Sequence, residues 1–283
     1  MILFRYFRSG IDALETVRDA RLKVSCISSF NDPFECMFRP VGKMTAAKAK
    51  EYVRSRLRSR YFIEGAMRQY PALKTYKGAR RYLKKNLDVM AAALLDRFES
   101  ICRSTIEDRL RMLDHHARVV CFSEADADPL DEILMWSHYG AKHCGARVGF
   151  EFPAELGANF KVRKITYENE RVPLDFTVDW EAGSALVTAL ARSIESKSNA
   201  WKYEKEHRLI VSPRVCIREG SGEAVSAFVG VERGWIKRVD FGARHPSSES
   251  LRLRALLGPN NPDVQFFQAG YDGDRYALTY NRI

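Results

Sequence analysis

Glu204 and Glu206, separated by one lysine, stand just ahead of Arg208 at the entrance to the apolar run Leu209-Ile210-Val211. In an extended chain, side chains two apart share a face, so both carboxylates and the guanidinium would project together. Such a set forms either an ion-pair cluster or part of an active site. In an active site, one carboxylate stays ionised against developing positive charge while the other orients or deprotonates a nucleophile. Asn31, Asp32 and Glu35 make a second group. They sit in the stretch Ser28-Ser-Phe-Asn-Asp-Pro-Phe-Glu35, where Asn31 and Asp32 can bond local backbone and Pro33 stops any helix. That stretch reads as a plain turn or as a pocket rim. The third group is Met135-Trp-Ser-His-Tyr-Gly140. On a helix Trp136 and Tyr139 share a face, which gives either ordinary packing or an aromatic wall for a planar ligand, with Ser137 and His138 as polar neighbours.

These groups need elements to hold them. Residues 2–7 read as a first strand carrying Arg5 and Tyr6, followed by a helix over 12–20 capped by Asp12 and a short strand from Leu22 to Ser25. Strands are expected at 118–123, ending on Ser123, and at 146–152 and 161–167. Helices are expected at 131–139 and 181–196, with a strand running on from Glu204. The remainder reads as strands near 224–229, 236–241, 264–268 and 275–280, with a helix near 248–257. Many short strands with few helices between them point to an α+β fold with a mixed, mostly antiparallel sheet.

Residues 43–118 interrupt this pattern. Helical spacing of apolar residues runs through 45–63 and 78–115, with Pro71 between, and Leu83, Leu87, Met90 and Leu94 mark one face. Between Lys43 and Arg118 there are 19 Lys and Arg against 8 Asp and Glu, which accounts for essentially all of the net charge of +10. We read one α+β domain spanning 1–283, with a basic helical insertion at 43–118 that is either a solvated face or an attachment surface for nucleic acid. No apolar run approaches the ~20 residues of a membrane span. The first residues read as a strand rather than a leader, and none of the six cysteines forms a Cys-x-x-Cys pair. A cytoplasmic chain with reduced thiols is the expectation. No metal site is expected, since His115-His116 lacks a third ligand at metal spacing. Ser123 lies in no nucleophile elbow, and no phosphate loop or dinucleotide glycine fingerprint is present.

Three segments taken in order carry a resemblance. They are Phe30-Asn-Asp-Pro-Phe-Glu35, then Cys121-Phe-Ser123 with Met135-Trp-Ser-His-Tyr-Gly140 and His143-Cys-Gly145, then Trp201-Lys-Tyr-Glu-Lys-Glu-His-Arg208. Together, from Tyr6 to about Gly242, they resemble an uncharacterised bacterial domain of unknown function often met near defence genes. The layout also resembles the ADP-ribosyltransferase superfamily, including its DNA-modifying toxin branch. That resemblance implies a split mixed sheet and NAD as substrate. It implies Arg5 or Tyr6 on the first strand as an NAD holder, and Ser123 with Trp136, Ser137, His138 and Tyr139 at the middle position. Glu204 and Glu206 would open the late strand. Glu206 would be the catalytic carboxylate beside the ribose, Glu204 would act on the nucleophile, and Asn31, Asp32 and Arg208 would help form the NAD pocket. The first strand lacks the His-x-Thr and the middle element the Ser-Thr-Ser of that superfamily. Two other readings compete. One is a metal-dependent nuclease that holds magnesium on Asp32, Glu35, Glu204 and Glu206. The other is a non-enzymatic module that binds nucleic acid through the basic helices.

Overall fold

A computed structural model describes residues 1–125, 128–157, 160–175, 183–220 and 225–283. The chain divides into two units. One comprises Met1–Cys36, Leu110–Arg171 and Ser193–Ile283; the other comprises Met37–Arg109 and Val172–Arg192.

The first unit is α+β and is built on an eight-stranded, mostly antiparallel open sheet. Its order is Leu278–Arg282, Gln265–Tyr271, Ile236–Phe241, Ala146–Glu151, Ile2–Phe7, Arg118–Glu124, Glu206–Val211 and Phe160–Lys164. Only Ile236–Phe241 and Gln265–Tyr271 pair in parallel. Alternation along the strands separates two kinds of face. Leu3, Val120, Phe122, Val148, Phe150 and Leu209 belong to one apolar core, which also takes in Ala13 and Val17 of helix Gly10–Asp19 and Leu253 and Leu257 of helix Ser247–Leu257. The alternate positions of the same strands carry charge: Glu206 and Arg208 on one strand, Arg147 on another, and Arg238 and Asp240 on a third. Gly145, just before strand Ala146–Glu151, allows the chain to close on the first strand, since a β-carbon there would lie 2.0 Å from the Phe7 carbonyl oxygen.

Pairing in the middle of this sheet is incomplete. Ile2–Phe7 pairs with Ala146–Glu151 along its whole length but with Arg118–Glu124 only at Leu3–Glu124 and Phe4–Ser123. Beyond Phe4 the strand edges separate, and Val119 instead bridges to Ser25.

Most expected elements are present with shifted ends. The first helix begins at Gly10, because Ser9 rather than Asp12 caps it by accepting the Asp12 amide. The expected strand 161–167 is two strands, Phe160–Lys164 and Thr166–Glu168, the second pairing in parallel with Ser196–Ser198. The short strands Arg39–Val41, Pro173–Asp175 and Ile217–Glu219 were not anticipated. Parts of the expected elements at 181–196 and 224–229 lie outside the described residues; Gly183–Ile194 and Ser226–Gly230 are seen.

The second unit is mainly helical: Ala46–Arg56, Arg60–Gln69, Tyr76–Lys85, and Leu87–His116 as far as Arg109. Thr45, Ser59 and Thr75 cap the first three, each accepting an amide hydrogen bond from three residues on. The Ser59 cap breaks the single helix expected over 45–63. Val172–Arg192 joins this unit as well, which the charge pattern did not suggest.

Candidate functional site

The gap between strands Ile2–Phe7 and Arg118–Glu124 is a cavity of about 470 Å³. Arg5 and Tyr6 come to it from one strand, and Cys121 and Ser123 from the other. Asn31 and Glu35 come from the turn, Tyr139 from helix Pro129–Tyr139, and Glu204, Glu206 and Lys197 from the neighbouring strands and turn. Residues from five separate stretches of sequence therefore meet on one hollow within the first unit.

Glu204 and Glu206 reach it differently from the expected extended pair. Asn199–Glu204 is a 3-10 turn, Lys205 takes a left-handed conformation at φ 43°, and the strand starts only at Glu206. The left-handed residue breaks the two-residue alternation, so the carboxylates converge through a turn and not along a strand. Glu206 and Arg208 do alternate as expected and lie opposite Ser123 and Cys121. The Tyr167 hydroxyl accepts the Glu206 amide at 2.7 Å, fixing the start of the strand.

The acidic cluster is an ion-pair network, and its carboxylates Glu35, Glu204 and Glu206 also line the cavity. Arg208, fully buried, donates to Glu206 at 2.7 and 3.0 Å, to the Ile194 carbonyl at 2.6 Å, and to Glu35. Lys197 Nζ donates to Glu204 at 2.7 Å and Glu206 at 3.4 Å, and lies 3.8 Å from Glu35. Tyr139 donates its hydroxyl to the other Glu204 oxygen at 2.5 Å. Three carboxylates thus share two cations.

The two catalytic candidates are driven apart. Burial opposes the charge on both. At Glu206 the Arg208 guanidinium and Lys197 outweigh burial and hold the carboxyl below its ordinary range. At Glu204 burial prevails over Lys197 and Tyr139, and the carboxyl is pushed up; Glu35 is pushed up for the same reason. Such divergence between neighbouring carboxyls is how acid and base roles separate. Cys121 opens onto the cavity, but desolvation and the nearby Glu206 charge hold its thiol protonated. Arg5 is the outlier. Burial lowers its pKa to about 10, and its enclosed Nη1 atom has no hydrogen-bond partner among the described residues.

Several candidates stand elsewhere. Trp136 is fully buried and does not line the cavity: its indole donates to the Tyr280 hydroxyl at 2.9 Å, and it packs edge-on to Tyr6 and beside Arg147. Arg147 itself is locked between Glu132 and Asp240 at 2.8 and 2.7 Å. The aromatic wall expected of Trp136 and Tyr139 is therefore split, because Tyr139 turns to Glu204 while Trp136 covers the Arg147 cluster. Ser137 bonds the Ile133 carbonyl and the His143 ring, and His138 pairs with the Tyr203 hydroxyl at 2.9 Å. Asp32 accepts the Phe34 amide as a turn residue. Arg208 sits beneath Phe30 and holds the carboxylates without lining the cavity.

Lys197 was missed, although it is the hub of the network. Its hydrogen-bond partners are seven and nine residues away across the turn Asn199–Glu204, and the parallel pairing of Ser196–Ser198 with Thr166–Glu168 holds its strand. No pattern in the sequence announces that pairing. No protein-family model, curated protein or solved structure matches the chain. Among the described residues, no helix is long and apolar enough to cross a membrane.

Proposed function

We propose that the cavity is the active site of an NAD-consuming enzyme, an ADP-ribosyltransferase or NAD glycohydrolase, on an ADP-ribosyltransferase-like split sheet. One observation carries the reading: an ionised carboxylate, Glu206, and Arg5, whose enclosed Nη1 has no hydrogen-bond partner among the described residues, line the same hollow where two central strands part. NAD has groups for both, a pyrophosphate for Arg5 and a ribose that gains positive charge as nicotinamide leaves, as in glycoside cleavage. Glu206, held anionic by Arg208 and Lys197, supplies fixed negative charge on the cavity wall. Glu204, with its carboxyl pushed toward the neutral form and oriented by Tyr139, exchanges a proton with the incoming nucleophile. Asn31 and Ser123 line the same space and supply hydrogen-bonding groups.

The nuclease reading is weaker on geometry. Lys197 Nζ stands among Glu35, Glu204 and Glu206, where a divalent cation would have to sit. Among the described residues, no group of three His, Cys, Asp or Glu is placed to hold a metal ion.

The test is nicotinamide release from NAD, with and without nucleic-acid or protein acceptors, at a temperature where every variant is folded. Wild type should release nicotinamide, and Glu206→Gln should be slower by about 100-fold or more. Equal rates, or a wild type inert under all acceptors, would overturn the proposal.

A further inference from the structure

A second cavity, of about 640 Å³, lies within the helical unit among helices Ala46–Arg56, Arg60–Gln69, Tyr76–Lys85 and Leu87–His116. Its walls include Val53, Phe62, Leu83, Met90, Leu94 and Ile101. Charge enters from one sign alone: Arg56 and Arg97 line it, and no carboxylate does. Arg56 stacks over the Tyr52 ring at 5.1 Å, which holds a guanidinium beside the apolar space.

Gly65 makes the cavity informative. It sits in the middle of helix Arg60–Gln69, where glycine costs about 1 kcal/mol relative to alanine. Glycine is usually found there because a neighbouring backbone or side chain comes too close for a β-carbon. Here a β-carbon would meet nothing within 4 Å, and the residue faces the cavity. The helix gives up stability at a point where no neighbour requires it, and the result is open volume.

We infer that this cavity binds an amphipathic anion, an aliphatic acyl chain bearing a carboxylate, with the chain among the apolar walls and the head group at Arg56 and Arg97. Beside the two arginines the walls are mainly aliphatic and aromatic; the Gln69 amide and the hydroxyl residues Tyr52, Ser59, Tyr61 and Tyr70 are their polar members, and no acidic group is among them. They suit a hydrocarbon better than a base edge that needs paired donors and acceptors. Charge complementarity selects the anion over a cationic or neutral amphiphile. The site stands apart from the NAD-cleft reading and does not depend on it.

The experiment is calorimetric titration of the full chain with decanoate, below its micelle concentration, beside decyltrimethylammonium, decanol and acetate. Decanoate should bind saturably at one site per chain, decyltrimethylammonium and acetate should not, and decanol should bind more weakly. Gly65→Leu sets its β-carbon in open space and its side chain toward the cavity, so it should keep or raise the melting temperature and abolish decanoate binding. Arg97→Gln, on an exposed helix position that tolerates exchange, should weaken binding about tenfold or more. Absence of saturable decanoate binding to wild type, equal binding of the cationic amphiphile, or unchanged affinity in folded Gly65→Leu would each overturn the inference.

Discussion

Exchanging Glu206 for glutamine tests the network before it tests catalysis. The carboxylate accepts two hydrogen bonds from the fully buried Arg208 and lies 3.4 Å from Lys197. Glutamine keeps the shape and one acceptor oxygen but removes the charge, leaving the guanidinium with only Glu35 as its anionic partner. Breaking a buried ion pair from one side costs about 3–5 kcal/mol; the retained acceptor places Glu206→Gln near the lower end. A domain of this size loses about 2–4 °C per kcal/mol, so a fall of roughly 6–12 °C is expected at neutral pH. The sign of its pH dependence follows from the depressed carboxyl. Stability from a lowered folded-state pKa is present above the unfolded value of about 4.3 and is lost as pH falls through the folded value. The gap between wild type and variant should therefore be widest at neutral pH and close in acid. Circular dichroism melts from pH 2 to 8 measure this, and a gap under about 2 °C at pH 7 would refute the network's role. Kinetic comparison of this variant is meaningful only below its lowered melting point.

Four further outcomes follow. Glu204→Gln should behave oppositely: burial raises the Glu204 carboxyl, so its stabilising protonation is complete below about 4.3 and is lost as pH rises through the folded value. The variant, fixed neutral, should gain on wild type as pH rises, and melts that fall further behind would contradict this. Arg5→Met removes a buried guanidinium nitrogen that has no hydrogen-bond partner among the described residues; the melting temperature should hold or rise while binding of ADP-ribose is lost. Tyr139→Phe, which deletes the donor to Glu204, should lower nicotinamide release about tenfold with little change in melting, as seen in single-turnover assays. Reversing Arg54, Arg56, Arg58 and Arg60 should abolish binding of DNA or RNA if the basic helices hold it. Wild-type affinity should then fall with salt by about 0.9 log units per log unit for each phosphate met.

The sequence was most legible where alternation or helical spacing ran uninterrupted. Strand Ile236–Phe241 falls on the expected residues, and helix Ser247–Leu257 starts one residue early. It was least legible where tertiary pairing overrides local pattern. The left-handed Lys205 moves Glu204 off the strand, and a non-glycine residue gives no warning of that. Tyr139 and Trp136 share a helical face by spacing, yet two buried charges, Glu204 on a turn and Arg147 on a strand, draw them apart. The convergence of Arg5, Asn31, Ser123 and Glu206 was readable only as a resemblance. What brings them together is a two-residue pairing between central strands, and its brevity is written in no single segment.

The most direct test is the melting temperature of wild type, Arg5→Met and Gly65→Leu with rising ADP-ribose. Ligand at 100 times its dissociation constant stabilises a folded chain by about 2.7 kcal/mol, which corresponds to a shift of roughly 5–11 °C for a domain of this size. Wild type and Gly65→Leu should shift alike and Arg5→Met should not. A wild type indifferent to millimolar ADP-ribose, or an Arg5→Met chain that shifts as far as wild type, would contradict the assignment of the cleft.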